Sequence, residues 1–241
     1  YMTGTQPTST EQPYDLTFLL KNPNMEDATD WELTDCGAPT IRSVVAEYFN
    51  TKFNMHQTLE DMPCGTYDFC VQGFQRPGSY NSVYNLWTKN TLVTTSTLYY
   101  KSSYRQKLQS IMDGAQKQQV GGGVEQKVGQ WYIPDNMEAV QQYFLQELYN
   151  ENKLIFEHKT QGKMLLGLKN TTVKDADWTI FNHFRLHYYG PNFTKDVLTD
   201  VESIETPVLD EQTSPCYDLQ GRRIATPVRR VYIRNGRQYV K

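Results

Sequence analysis

The chain has 241 residues, a net charge of −3, 13% aromatic residues with 17 Tyr among them, and four cysteines. That length suits one large β domain, or one domain with a small appendage, and burial of ~70–75% of the unfolded surface at this size allows a full core. The near-balanced charge gives no general attraction to nucleic acid, and no apolar run approaches the ~20 residues a membrane-spanning helix needs. The balance is uneven along the chain, however. Residues 217–241 carry seven Lys and Arg against Asp218 alone, so the last segment is +6 and the rest −9.

Taken in order, residues 1–13 are rich in Ser, Thr and Pro and read as a flexible leader, such as remains after an export signal is removed. A first strand is expected over 14–20, then the turn Asn22-Pro23-Asn24. Strands follow over 44–49, 53–59 and 66–74, with Phe53, Met55, Gln57 and Leu59 on one side and Tyr67, Phe69 and Val71 on another. Met62-Pro63-Cys64-Gly65 is a turn by its Pro and Gly. Residues 75–91 read as a loop by their Gly, Pro, Asn and Ser content, and 92–100 as a strand. Leu108, Ile111, Met112 and Ala115 stand at helical spacing, which predicts a helix over 105–118. Val120-Gly121-Gly122-Gly123 reads as a mobile loop. Asp135 or Asn136 can cap a second helix, striped by Met137, Val140, Phe144 and Leu148. Strands over 152–158, 164–169 and 178–189 complete this part. In the last of them Trp178, Ile180, Phe184, Leu186 and Tyr188 are expected to share one core face, opposite Phe181, His183, Arg185, His187 and Tyr189. Residues 191–214 read as a linker. In 215–241, Asn235-Gly236 between Val231–Arg234 and Arg237–Val240 is a strong hairpin signal, and a unit this small is expected to pack on the main domain or on a neighbour.

The motifs resemble a known family. Leu20-Lys21-Asn22-Pro23-Asn24-Met25-Glu26 with Trp31 looks like the opening of a galactose-binding-like jelly roll. Ala46-Glu47-Tyr48-Phe49, Phe53–Thr58, the Met62–Tyr67 turn and Val71-Gln72-Gly73-Phe74-Gln75-Arg76 resemble its middle strands, and Asp177–Gly190 its last strand. The similarity covers residues 15–190. It implies an antiparallel β-sandwich of jelly-roll type, mainly β with two short inserted helices, of the kind found in carbohydrate-binding modules and surface glycan-binding proteins of Gram-negative bacteria. Tyr217-Asp218-Leu219-Gln220-Gly221-Arg222 and the closing hairpin resemble the sorting tails of the type IX secretion system, though this tail is shorter and more basic. The implied organisation is a leader (1–13), a binding domain (14–190), a linker (191–214) and a C-terminal hairpin (215–241), in a protein that is secreted or held at the outer cell surface.

Residues that could carry chemistry are few. There is no Gly-x-Ser-x-Gly, His-Glu-x-x-His or Walker loop, so the expectation is a non-catalytic protein. His183 and His187 share a strand at ~13 Å, too far for one ion, and read as part of a solvated face. Asp175 and Asp177 read as solvated loop carboxylates. Cys36, Cys64, Cys70 and Cys216 show no C-x-x-C spacing, which argues against zinc, and free buried thiols are the simpler expectation. The resemblance implies a structural calcium beside the Asn-Pro turn, with Asn24, Glu26 and Asn182 as ligands. The alternative is that such a turn bonds its own backbone.

A sugar site needs flat rings and hydrogen-bonding groups. Arg76, Tyr80, Tyr84, Trp87 and Trp131 meet that description in segments read as loops. The alternative is that Trp131 and Tyr132 staple a helix entry and that the other rings cover the expected helix. Two functions are therefore carried forward: binding of a glycan or polysaccharide, and adhesion or assembly with a protein partner.

Overall fold

The computed structural model describes residues 12–194 and the backbone of four short strands between 216 and 240. The chain divides into two compact units, Tyr1–Leu198 and Thr199–Lys241, so 14–190 is not split.

The first unit is mainly β. One antiparallel sheet is built from β1 (Tyr14–Asp15), β3 (Thr40–Arg42), β4 (Val45–Phe49), β6 (Gly65–Pro77), β11 (Asn152–His158) and β13 (Asp177–Gly190). Its order is β11-β6-β13-β4-β3, with β1 also paired on β13. The second sheet holds β2 (Glu32–Leu33), β5 (Phe53–Met62), β7 (Thr97–Tyr100), β8 (Tyr104–Lys107) and β12 (Gly162–Asn170), in the order β2-β5-β12-β7-β8. Period-two alternation turns one side of each sheet inward, as at Phe53, Met55 and Leu59 of β5, all buried. Rings meet across the gap: Tyr48 stacks on Phe53 at 4.1 Å and Phe156 on Tyr100 at 4.2 Å. The two sheets thus enclose one apolar core in a sandwich-like arrangement.

The core differs from expectation at β13. Trp178 and Ile180 do not join Phe184, Leu186 and Tyr188. The first pair packs with Phe74, Val140 and Tyr149 in a second cluster, whereas the other three lie in the sandwich core. A β-bulge separates them. The β6–β13 register shifts between Asn182 and Arg185, and His183 takes φ 57°. One extra residue exchanges the two faces of a strand, because the side-chain period is two. Phe181 therefore points inward before the bulge and Phe184 after it, their rings 5.8 Å apart.

The second cluster is an annex on the outer face of the first sheet. It contains α1 (Tyr80–Thr88), the hairpin of β9 (Glu125–Val128) and β10 (Trp131–Pro134), and α2 (Met137–Leu145). The expected α2 forms but ends at Leu145, before the expected Leu148, with Asn136 Oδ1 accepting from Ala139 N at 2.9 Å. The other helix is displaced. Residues 105–118 are not helical, because Gln75 of β6 binds that segment edge-on: Gln75 N donates to Gln109 O and Ile111 N to Gln75 O. The segment read as a loop forms α1 instead. Tyr80, Val83, Tyr84 and Trp87 recur at helical spacing, and Val83 is fully buried.

Three smaller expectations change. The first strand shortens to Tyr14–Asp15, followed by a 3-10 turn at Thr17–Leu19. The strand expected over 92–100 is confined to Thr97–Tyr100. The glycine-rich stretch packs on α2: a Cβ on Gly123 would stand 2.2 Å from Ala139 N. Cys36, Cys64 and Cys70 are free thiols.

In the second unit β14 (Cys216–Tyr217), β15 (Arg223–Ile224), β16 (Val231–Arg234) and β17 (Arg237–Val240) form one antiparallel sheet. Arg234 pairs with Arg237, the register a two-residue connection requires. Of the expected leader and linker, only residues 12–13 and 191–194 are among those described.

Candidate functional site

The sequence-predicted binding residues separate into two groups. Tyr84, Trp87 and Trp131 fasten α1 to the β9–β10 hairpin. Trp87 meets Trp131 edge-on at 5.8 Å and Tyr84 at 6.1 Å, and all three are half-buried. Gly129, at φ 59°, lets the Tyr84 hydroxyl in: a Cβ there would stand 2.1 Å away. These rings pack the annex together, and the helix over 105–118 that the loop rings were expected to cover does not form.

Arg76 and Tyr80 belong elsewhere. They line a cavity of about 410 Å³ on the outer face of the first sheet, with Trp178, Glu47 and Phe49 beside them and the start of α2 as its other wall. The parity of the strands places these side chains: Arg76 follows Asp68, Cys70, Gln72 and Phe74 along the outward side of β6, and Trp178 stands opposite it on β13. The Arg76 guanidinium lies 4.2 Å from the Tyr80 ring centre and 5.2 Å from that of Trp178. Its remaining partners are weak, a 3.5 Å bond to Ala176 O and a 3.9 Å approach to Asp135, and its Nε has none. Burial lowers the Arg76 pKa, offset by Asp135, Asp177 and Glu47. A guanidinium nevertheless stays charged. Burial also raises the Asp135 pKa, against the pull of Arg76. Trp178 Nε1 donates to Glu47 Oε2 at 2.6 Å, which fixes the indole face. On the rim Phe49 is 52% exposed. The cavity thus combines two fixed rings, an exposed third ring, an incompletely bonded cation and several carboxylates.

A second cavity, about 390 Å³, opens at the other end of α2 between Val45, Phe144, Asn182 and Arg185. Val44 and Leu145 on its border are 44% and 71% exposed. Both cavities use β4 and α2 as walls.

The calcium residues are placed as follows. Asn24 and Glu26 are exposed on their turn. The turn is pinned to β13, since Phe184 N donates to Pro23 O at 2.8 Å. Asn22 Nδ2 donates to Asp27 and Asp30. Asn182 lines the second cavity, and its Oδ1 accepts from His183 N.

Of the residues read as solvated, Asp177 is buried and His187 is only partly exposed. Asp177 is 3% exposed and accepts from Gln75 Nε2 at 2.8 Å and Asn170 Nδ2 at 3.3 Å. Burial raises its pKa and these bonds oppose the rise. The same Gln75 side chain accepts from Thr95 N and Ser96 N, closing one end of the sandwich with a buried polar network. His187 is paired with buried Asp68. Only cross-strand register could have revealed either, and a single sequence does not show it.

Comparison with family models, with curated proteins and with solved structures found no match. Among the described residues no helix is long and apolar enough to cross a membrane.

Proposed function

We propose that the first unit is a non-catalytic carbohydrate-binding module of galactose-binding-like jelly-roll type. It would act at the outer cell surface or in the secreted medium, and the second unit would be a tail akin to those of type IX secretion. The observation that carries this reading is the cavity around Arg76. Flat ring faces offer apolar contact to sugar C–H groups. Spare guanidinium donors and nearby carboxylates match a ring bearing many hydroxyls. Neither a metal nor a nucleophile is needed for binding of this kind.

The test is a polysaccharide and glycan screen on the full chain, followed by two variants. Phe49 is an exposed ring on the rim, so F49A should weaken binding while leaving the melting temperature unchanged. Trp87 is packing, so W87A should leave affinity unchanged and cost ~1.5–3 kcal/mol of stability. If no polysaccharide is retained, the sugar reading fails. If W87A abolishes binding and F49A does not, the site has been misplaced.

A protein partner is favoured by a different surface. Phe18 is 71% exposed and borders a cavity of about 500 Å³ with Leu16, Leu19, Met62 and Pro63. An apolar patch of this kind suits protein contact better than sugar.

The proposal extends to a structural calcium beside Asn24 and Glu26, supported by the pinning of that turn to the strand bearing Asn182. Calcium added to metal-free protein should raise the melting temperature in wild type and not in E26Q. An equal response in both discards the site.

A further inference from the structure

On the outer face of the first sheet, beside Gln72 and Arg185 of the second cavity, the strand register gathers three potential metal ligands. Asp68 and Cys70 are two residues apart on β6 and share a face, and His187 of β13 stands directly opposite Asp68. His187 Nδ1 lies 2.7 Å from Asp68 Oδ1, and Cys70 Sγ lies 3.4 Å from the same oxygen. The three ligand atoms all fall within 4.8 Å of one another. We propose that Asp68, Cys70 and His187 form a binding site for a zinc-class divalent cation, with one coordination position left for water.

The geometry is near what the ion requires. Zinc takes sulfur at ~2.3 Å and nitrogen or oxygen at ~2.0–2.2 Å, so tetrahedral donors stand roughly 3.3–3.6 Å apart. The sulfur–oxygen pair already has that spacing. The His187 ring must withdraw from Asp68 by roughly half an ångström and close on Cys70 Sγ, and its side chain, 26% exposed, has room to turn. Asp68 is held from behind, since Tyr189 Oη donates to its other oxygen at 2.7 Å. Outer bonds of this kind orient a carboxylate ligand and tune its affinity.

The charges also balance. A divalent ion replaces the proton that His187 Nδ1 shares with Asp68, and the neutral ring carries its own proton on Nε2. The Cys70 thiol proton leaves to solvent. Thiolate and carboxylate then neutralise the two positive charges, so no net charge is left on a face where Asp68 and Cys70 are buried. Burial and the neighbouring Asp68 push the Cys70 thiol well up in the absence of an ion, and Arg185 and Lys153, opposite Cys70 in the register, oppose that rise. Asp15, paired with His187, adds an anion on the open side.

Cobalt(II) and zinc are the probes, used on the reduced full chain. Cobalt should give a thiolate-to-metal charge-transfer band in the near ultraviolet, with the strong visible bands of a four-coordinate ion. One equivalent of zinc should abolish them. C70S should lack the charge-transfer band, and H187Q should bind zinc at least ~10-fold more weakly. Y189F, which removes only the outer hydrogen bond, should lose ~10-fold or more. The absence of any charge-transfer band in wild type overturns the proposal, as does a band that survives C70S or zinc affinity unchanged in H187Q. Should C70S fail to fold, the H187Q and Y189F affinities decide between these outcomes.

Discussion

His187 and Asp68 face each other across paired strands, and the pairing gives the metal-free protein a pH dependence of definite sign. The hydrogen bond to Asp68 raises the His187 pKa above its ordinary 6.5, against the effect of burial. The folded state then holds the proton more tightly than the unfolded chain. This stabilisation is complete below 6.5 and is lost as pH rises through the folded value. His158 has the opposite sign. Burial, with Lys101, lowers its pKa, so its contribution is present above 6.5 and lost as pH falls through its folded value. Urea midpoints in a chelating buffer, from about pH 5 to about pH 8, should therefore fall on the alkaline side in wild type. That fall should be missing in H187Q, and its persistence there would separate it from this pair.

Among the elements, β13 decides the most. Its bulge lets one strand serve two cores, the sandwich interior through Phe184 and Leu186 and the annex through Trp178 and Ile180. Phe184 is fully buried, with Trp31 at 4.6 Å and Phe69 at 5.5 Å. Its truncation to Ala should cost ~3–5 kcal/mol in urea unfolding, as buried aromatic truncations do. A loss below ~1 kcal/mol would remove Phe184 from the core. His183 occupies left-handed backbone, where a Cβ costs ~1–2 kcal/mol. H183G should therefore be more stable than H183A by about 1 kcal/mol, the reverse of the usual order in a strand. Equal stabilities would mean that the bulge is not strained at this residue. At α1, composition misled the reading and periodicity was right. Asn and Ser suggested a loop, yet Tyr80, Val83, Tyr84 and Trp87 already stood at helical spacing. Over 105–118 the same spacing was present without a helix, because the edge hydrogen bonds of Gln75 took those backbone groups.

At the scale of the whole molecule, residues 12–194 contain both apolar clusters and all the strands of both sandwich sheets. A fragment of these residues should unfold in one cooperative transition, with the same midpoint by near- and far-ultraviolet circular dichroism. Two separated transitions would mean that the annex and the sandwich fold independently. Under the proposed function the fragment should bind whatever polysaccharide the full chain binds, since the residues around Arg76 lie within it.

The sequence by itself determined the mainly β class, the places of the longer strands and much of the inward-facing core, but not the short strands β2, β3 and β8 to β10. Each of these follows from local alternation and turn chemistry, which a single chain displays. It also supplied the hairpin register of the last two strands and narrowed the α2 cap to Asp135 or Asn136, of which Asn136 caps the helix. Tertiary structure alone decided which face each half of β13 presents, because one extra residue reverses parity and leaves no compositional mark. It decided that Arg76 and Tyr80 share a cavity while Tyr84, Trp87 and Trp131 pack. It also brought Cys70 to His187, residues that no sequence spacing connects. Sites of that kind are assembled by register between strands distant in the chain, and register is set by packing of the whole sheet.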